Sequence, residues 1–160
     1  MDKDDVFNGG NQTDTLLGRA DNDILNGRYG ADTYIFAKGH GQDIINDYAS
    51  SQDKDMLKLT DITLAETKFH KSNNDLILFG YHESNSITVK NFFNNGYYEI
   101  EQFAFKNQVV LQPDFAKYLN TANGMAQAMA VFDAKAMDNG AAEVLSVVVN
   151  PNSLLSSSAL

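Results

Sequence analysis

The chain has 160 residues and a formal net charge of -9, from 12 basic and 21 acidic side chains. This length allows one domain with a core of its own, and the lack of a basic patch argues against a nucleic-acid partner. No apolar stretch approaches the roughly 20 residues that a membrane span needs. Residues 1 to 15 are too polar and acidic for a signal peptide, and no cysteine is present to form a disulfide.

The acidic side chains of residues 1 to 55 are all aspartates, and they outnumber the basic residues there by 11 to five. A solvated acidic surface normally mixes aspartate with glutamate, so the exclusive use of the shorter carboxylate indicates cation coordination. Such a concentration of like charge repels itself without a cation. We therefore expect the folding of this region to be coupled to metal binding.

Residues 5 to 35 follow a nine-residue pattern. The aspartates in phase are Asp5, Asp14, Asp23 and Asp32. The apolar residues two positions after them are Phe7, Leu16, Leu25 and Tyr34. The glycines that open three of the turns are Gly9, Gly18 and Gly27. We expect each copy to use about six residues for a turn and about three for a strand with its apolar side chain inward, so that the copies stack into a parallel solenoid.

The turns have the chemistry of a calcium site. Glycine, asparagine and aspartate tolerate positive φ, and a tight turn directs backbone carbonyls at one point. A carboxylate at its end adds the hard anionic oxygen that calcium needs among its roughly six to eight ligands. A loop that is merely rich in glycine, asparagine and aspartate is the alternative, but three copies in phase argue against it.

This pattern resembles the calcium-binding nonapeptide of the RTX exoproteins. The resemblance implies an all-β fold, a parallel β-roll that acts as a calcium-binding solenoid, in which turns eighteen residues apart share a side. It implies Ca2+ ions between Asp14 and Asp32 and between Asp5 and Asp23. The further candidate ligands in the turns are Gly10, Gln12, Gly18, Ala20, Gly27 and Tyr29. The departures from the family's glycines are Gln12, Arg19, Asp21 and Arg28, which we expect to affect affinity more than architecture.

Residues 1–61 are assigned to the roll, with looser spacing after Asp32. This stretch resembles the segment after the last repeat of RTX proteins, where further calcium sites occur. The added candidate ligands are Asp43, Asp47, Asp53 and Asp55, against the alternative of capping and turn-forming aspartates. Because the repeat phase starts before residue 1, we expect upstream repeats of the same parent protein.

Residues 62–112 contain β-rich runs joined by polar turns, and their order resembles the domain that closes the roll in RTX haemolysins. We therefore predict a C-terminal β cap. Its aromatic residues are Phe92, Phe93, Phe103 and Phe105. We expect them to cover the open end of the core rather than to form a ligand platform.

In residues 113–160 the β-rich pattern gives way to helical periodicity and then to a weakly apolar, uncharged tail. Apolar residues recur at threes and fours from 114 to 138, which predicts a peripheral amphipathic helix that docks on the roll. The tail that follows is rich in serine, alanine and leucine. It resembles the uncleaved type I secretion signal of RTX proteins, although composition alone would indicate only a frayed terminus.

No catalytic constellation is recognisable: His-Glu-x-x-His and Gly-x-Ser-x-Gly are both missing. We therefore expect no enzyme. The resemblance implies a calcium-dependent folding and type I secretion module at the C-terminus of a larger extracellular bacterial protein, with the secretion apparatus as a partner. The alternatives are part of an RTX protease or lipase, or an adhesin or bacteriocin tail whose exposed aromatic residues bind a receptor.

Overall fold

The computed structural model describes residues 3–50, 52–94 and 96–113, and no helix among them is long and apolar enough to cross a bilayer. The strands are β1 (Val6–Asn8), β2 (Thr15–Leu16), β3 (Ile24–Asn26), β4 (Thr33–Phe36), β5 (Gln42–Asn46), β6 (Met56–Leu59), β7 (Lys68–Ser72), β8 (Asp75–Phe79), β9 (Ser86–Val89), β10 (Gln102–Phe105) and β11 (Gln108–Leu111). The helix predicted over 114–138 and the secretion-signal tail lie outside the described residues.

The strands form two sheets. The six-stranded sheet has the order β1-β3-β5-β9-β8-β7, and the five-stranded sheet has the order β11-β10-β6-β4-β2. From β1 to β6 the chain alternates between the sheets, and neighbouring strands within each sheet pair in parallel. The predicted all-β class and the parallel roll are therefore confirmed.

The inward-facing residues of the repeat form the core between the sheets. Leu16, Leu25 and Tyr34 are buried, as the period-two alternation of a strand requires. Phe7 pairs with Leu25 but is only half-buried, because β1 lies at the edge of its sheet. The register places residues eighteen apart side by side, for example Leu16 beside Tyr34.

Antiparallel strands close both sheets. β9 and β10 continue the roll by pairing in parallel with β5 and β6, and β8, β7 and β11 then add in antiparallel orientation. Phe92, Phe103 and Phe105 are buried, and the rings of Phe92 and Phe103 are 6.0 Å apart. These side chains thus pack into the end of the core, while the division at residues 61 and 112 stays a prediction.

Adjacent turns lie in direct backbone contact. A Cβ on Gly30 would come within 2.6 Å of the Gln12 carbonyl oxygen, and φ of Gly30 is 115°, so only glycine fits there. Arg19, Asp21 and Arg28 adopt the same left-handed region with φ of 83°, 78° and 78°. The turns therefore keep a glycine-like backbone at three positions that lack glycine.

Candidate metal site

Acidic side chains form a column along one side of the roll. The carboxylate of Asp32 accepts the backbone N–H of Asp14 at 2.8 Å, and Asp55 accepts the N–H of Asp32 at 2.7 Å. Glu101 then accepts the N–H of Asp55 at 2.8 Å. Each acid precedes a strand of the five-stranded sheet, so the parallel register stacks them one coil apart.

A second column lies at the turns that enter the six-stranded sheet. Asp23 accepts the N–H of Asp5 at 2.8 Å, and Asp43 accepts the N–H of Asp23 at 2.9 Å. The column ends there, because the residue paired with Asp43 in β9 is the apolar Ile87. The structure thus brings together both predicted pairs, Asp14 with Asp32 and Asp5 with Asp23, whose role as ligands stays a prediction.

In both columns the ladder occupies only one carboxylate oxygen of each buried aspartate. The Oδ2 atoms of Asp23, Asp32, Asp43 and Asp55 are buried without a hydrogen-bond partner among the described residues. A buried carboxylate oxygen without a partner is costly, since it has lost its hydration. These oxygens therefore require protons or a cation.

Three carboxylates converge in the first column. Ligand atoms of Asp32, Asp47 and Asp55 all lie within 4.8 Å of one another. Asp47 follows β5 at the place where Gly27 follows β3, because Asn46 pairs with Asn26. Both Asp47 oxygens are buried and lack hydrogen-bond partners. An aspartate at a glycine position thus adds a third carboxylate to the stacked pair.

Glycine at position 27 leaves room for this cluster. A Cβ there would collide with the Tyr34 hydroxyl and with Asp32 Oδ2, and it would lie 3.0 Å from Asp47 Oδ1. The Tyr34 hydroxyl is also buried without a hydrogen-bond partner among the described residues. The Tyr34 phenol and the Gly27 backbone therefore both border the carboxylate cluster.

Burial and mutual repulsion keep these acids from ionising together. Burial raises the pKa of Asp32 to about 6. Burial, followed by the neighbouring Asp55, raises the pKa of Asp47 to about 9, and burial also raises the pKa of Asp55. For Tyr34, burial and the adjacent Asp47 carboxylate raise the pKa above its ordinary value. A divalent cation would reverse these shifts, since it favours the charged carboxylates.

The donor set fits a hard cation. The three carboxylates supply only oxygen, without the nitrogen or sulfur that zinc and copper sites use. Oxygen ligands in a flexible arrangement suit calcium. The unpaired buried oxygens of Asp32, Asp47 and Asp55 are the observation that supports the fit.

The other predicted ligands are placed differently. Asp53 accepts the Ser50 backbone N–H at 2.9 Å and the Gly30 N–H at 3.3 Å, and the Ser50 N–H holds its pKa below the ordinary value. It therefore caps its own loop. Gly10 donates its N–H to Asp14 Oδ2 at 2.6 Å, and its carbonyl accepts the Tyr29 N–H at 3.3 Å.

The remaining turn residues differ in burial. Gly18 is buried directly over Asp23 Oδ2, with no space for a Cβ. Gln12 and Ala20 are exposed. Ala20 borders an open groove between the edge strands β1 and β2, together with Gly18 and Asp14.

Sequence reasoning missed Tyr34 and Glu101 as members of the site. Tyr34 was recognised only as an inward-facing apolar residue. Glu101 has a signal in the sequence: it stands two positions before the buried Phe103, as Asp32 stands before Tyr34. The same acid, intervening residue and inward residue recur there with glutamate in place of aspartate.

Similarity to known proteins agrees with this fold and donor set. Residues 75–114 match the haemolysin-type calcium binding protein related domain. This match, together with the similarity described next, supports a protein of the RTX type with haemolysin-like calcium-binding repeats. The chain is also 34% identical over 103 residues to the iron-regulated protein FrpA of Neisseria meningitidis serogroup C. That match covers 64% of this chain and 9% of FrpA, so the chain spans a small part of its relative.

Proposed function

We propose that this chain is a calcium-dependent folding module, with Asp32, Asp47 and Asp55 around one Ca2+ ion. The observation that supports this proposal is the convergence of three buried carboxylates: each offers one oxygen within 4.8 Å of the others, and each has a buried oxygen without a hydrogen-bond partner among the described residues. The two acidic columns supply further candidate positions at Asp14 and Asp23. Calcium neutralises the carboxylates that otherwise oppose the packing of adjacent turns.

Folding follows from binding by mass action. The cation binds the stacked turns and not the extended chain, so it stabilises the native state in proportion to the logarithm of its concentration. Extracellular calcium modules bind in the range of about 0.1 to 1 mM. In this proposal the chain stays unfolded at low cytosolic calcium and folds after export, with the antiparallel closing strands as its nucleus.

The finer role we propose is a non-enzymatic type I secretion module at the C-terminus of a larger extracellular bacterial RTX protein. Residues 113–160 would then carry the signal read by the secretion apparatus. The match at residues 75–114 and the similarity to FrpA support the RTX-type setting. Export of the chain from cells with a type I apparatus, compared with a chain cut after residue 138, tests the role of the tail.

Circular dichroism with a calcium titration tests the folding proposal. We expect the β signal to be small in chelator and to rise with calcium. Asp47→Asn should raise the calcium midpoint, and isothermal titration should show one site fewer. Asp61→Asn is the matched control, because Asp61 accepts the Lys38 N–H outside the cluster. A full β signal in chelator that calcium leaves unaltered would overturn the proposal.

A further inference from the structure

A second polar feature lies on the outer face of the six-stranded sheet. Asn8, Asn26 and Asn46 alternate with the inward-facing Phe7, Leu25 and Ile45 and therefore face outward. They line an open groove of about 370 Å³ that also includes Arg28, Tyr48 and Tyr98. Asp47 of the carboxylate cluster also lines this groove, whereas the three asparagines and Arg28 are not among the predicted ligands.

The asparagines form an amide ladder. Asn26 Nδ2 donates to Asn8 Oδ1 at 3.0 Å, and Asn46 Nδ2 donates to Asn26 Oδ1 at 3.0 Å. Each amide has two donor hydrogens and two acceptor lone pairs, so the ladder leaves one donor and one acceptor of Asn26 for a ligand. The groove floor thus presents donors and acceptors at the spacing of adjacent strands.

Tyrosines form the wall beside this floor. Tyr48 is 44% exposed and contacts three other rings. Its centroid lies 5.5 Å from Tyr29, 6.1 Å from Tyr97 and 5.4 Å from Tyr98. Tyr29, which is also a predicted calcium ligand, and Tyr97 are each 48% exposed and support Tyr48 without lining the groove themselves. Rings held by one another present a rigid, amphipathic contact surface that loses little conformational entropy on binding.

The groove contains a cationic side chain that is unpaired in the described part of this acidic molecule. Arg28 is exposed, and no carboxylate among the described residues forms an ion pair with it. Lys90 also lines the groove, and it pairs with Asp75 at 2.5 Å. A guanidinium with five donors is suited to a carboxylate. Arg28 therefore complements a carboxylate group of a ligand, while the one carboxylate in the lining, that of Asp47, is buried.

We propose that this groove binds a carbohydrate chain that carries carboxylate groups. Sugar hydroxyls both donate and accept hydrogen bonds, as the amide ladder does, and the apolar face of a sugar ring packs on tyrosine. Arg28 takes the carboxylate. A proline-rich segment is the other ligand of aromatic grooves, but its prolines have no N–H to satisfy the free amide oxygens. The proposal does not rest on the calcium function.

The carbohydrate proposal is tested by saturation-transfer NMR and isothermal titration on the full chain in saturating calcium. The acidic probes are a hyaluronan hexasaccharide and sialyllactose, with chitohexaose and lactose as neutral counterparts and oligoproline as the peptide probe. We expect saturable binding of an acidic probe that exceeds binding of its neutral counterpart. Tyr48→Ala should weaken it by about tenfold, the loss typical of an aromatic anchor.

Two further variants separate the contribution of the Arg28 charge to ligand affinity from that of the amide ladder. Arg28→Gln should reduce the affinity for the acidic probe to that for its neutral counterpart, and Asn26→Ala should weaken both. Phe79→Ala is the control, because Phe79 is an exposed aromatic residue of the same sheet outside the groove. Circular dichroism verifies that each variant folds. No binding of either acidic probe, tighter binding of oligoproline, or an equal loss in Phe79→Ala would overturn the proposal.

Discussion

Arg28 shows what a single residue contributes to a turn of this roll. It takes a φ of 78°, in the left-handed region, at a position where the RTX nonapeptide that the repeat resembles has glycine. A side chain in this region costs roughly 1 to 2 kcal/mol. The stacked turns on either side determine the backbone there, so the fold accommodates the strain without changing path.

Replacing Arg28 with glycine is therefore expected to stabilise the protein. We expect Arg28→Gly to raise the free energy of unfolding in calcium by about 1 kcal/mol, since glycine relieves the strain. Urea unfolding measures it. Arg28→Ala is the control, because alanine loses the charge but keeps the strain. An equal gain in both variants would assign the effect to charge instead.

Gly27 is required for a different reason, namely the space that it leaves. We expect Gly27→Ala to weaken calcium binding, because the added Cβ would strike the Tyr34 hydroxyl and Asp32 Oδ2. Isothermal titration gives the affinity. Gly10→Ala is the control, because Gly10 lies one repeat position later in a turn of the same side and its Cβ would meet only Asp14 Oδ2 at 3.7 Å, an ordinary contact. Equal affinities in the two variants would contradict the assignment of the site.

At the scale of elements, the strand register arranges the carboxylates. Parallel pairing one coil apart places each acid over the next, and the hydrogen bond from backbone N–H to carboxylate fixes one oxygen inside the turn. The other oxygen is left for a cation. The same ladder extends into the closing strands through Glu101, so the cap and the repeats share one column.

The hydrogen bond from the Asp55 N–H to Glu101 predicts that two substitutions of Glu101 differ in their effect on stability. Glu101→Gln keeps an oxygen that accepts the Asp55 N–H, and we expect little change in stability. Glu101→Ala leaves that N–H without its partner and should cost about 1 to 3 kcal/mol. Chemical denaturation in saturating calcium distinguishes them. Equal losses for glutamine and alanine would show that charge, rather than the hydrogen bond, stabilises the rung.

At the scale of the whole molecule, the acidic columns make the fold dependent on what neutralises them. Burial raises the pKa of Asp43 to about 7 and that of Asp32 to about 6. Aspartates of an unfolded chain titrate near pH 3.9. Between about pH 4 and pH 7 the folded, cation-free protein therefore holds more protons than the unfolded chain.

This difference fixes the sign of the pH dependence. Without calcium, the contribution of Asp32 and Asp43 to stability is fully present below about pH 4 and is lost as the pH rises through about 6 to 7, because the folded state must give up its extra protons. We expect more β structure in chelator at pH 5 than at pH 8, as measured by circular dichroism. Asp43→Asn should flatten the profile. A β signal that rises from pH 5 to pH 8 would contradict this account.

The sequence predicted the fold because the repeat encodes it locally. Aspartate, an intervening residue and an inward apolar residue recur every nine positions, and Leu25 and Tyr34 are buried accordingly. The ligand assignment stays a prediction. For Asp53 the structure shows the hydrogen bond of a loop cap, which is the alternative that the sequence left open, because its side chain accepts the Ser50 N–H.

The sequence by itself determined the parallel roll through its nine-residue repeat, and the resemblance of that repeat to the RTX nonapeptide predicted that acids eighteen residues apart stack. Only the tertiary structure decided that Asp47 joins Asp32 and Asp55, that Tyr34 borders them, and that Glu101 completes the column. Those contacts join residues of different coils across loops of irregular length. The spacing along the chain does not specify them, because they depend on how the loops pack once the sheets have formed.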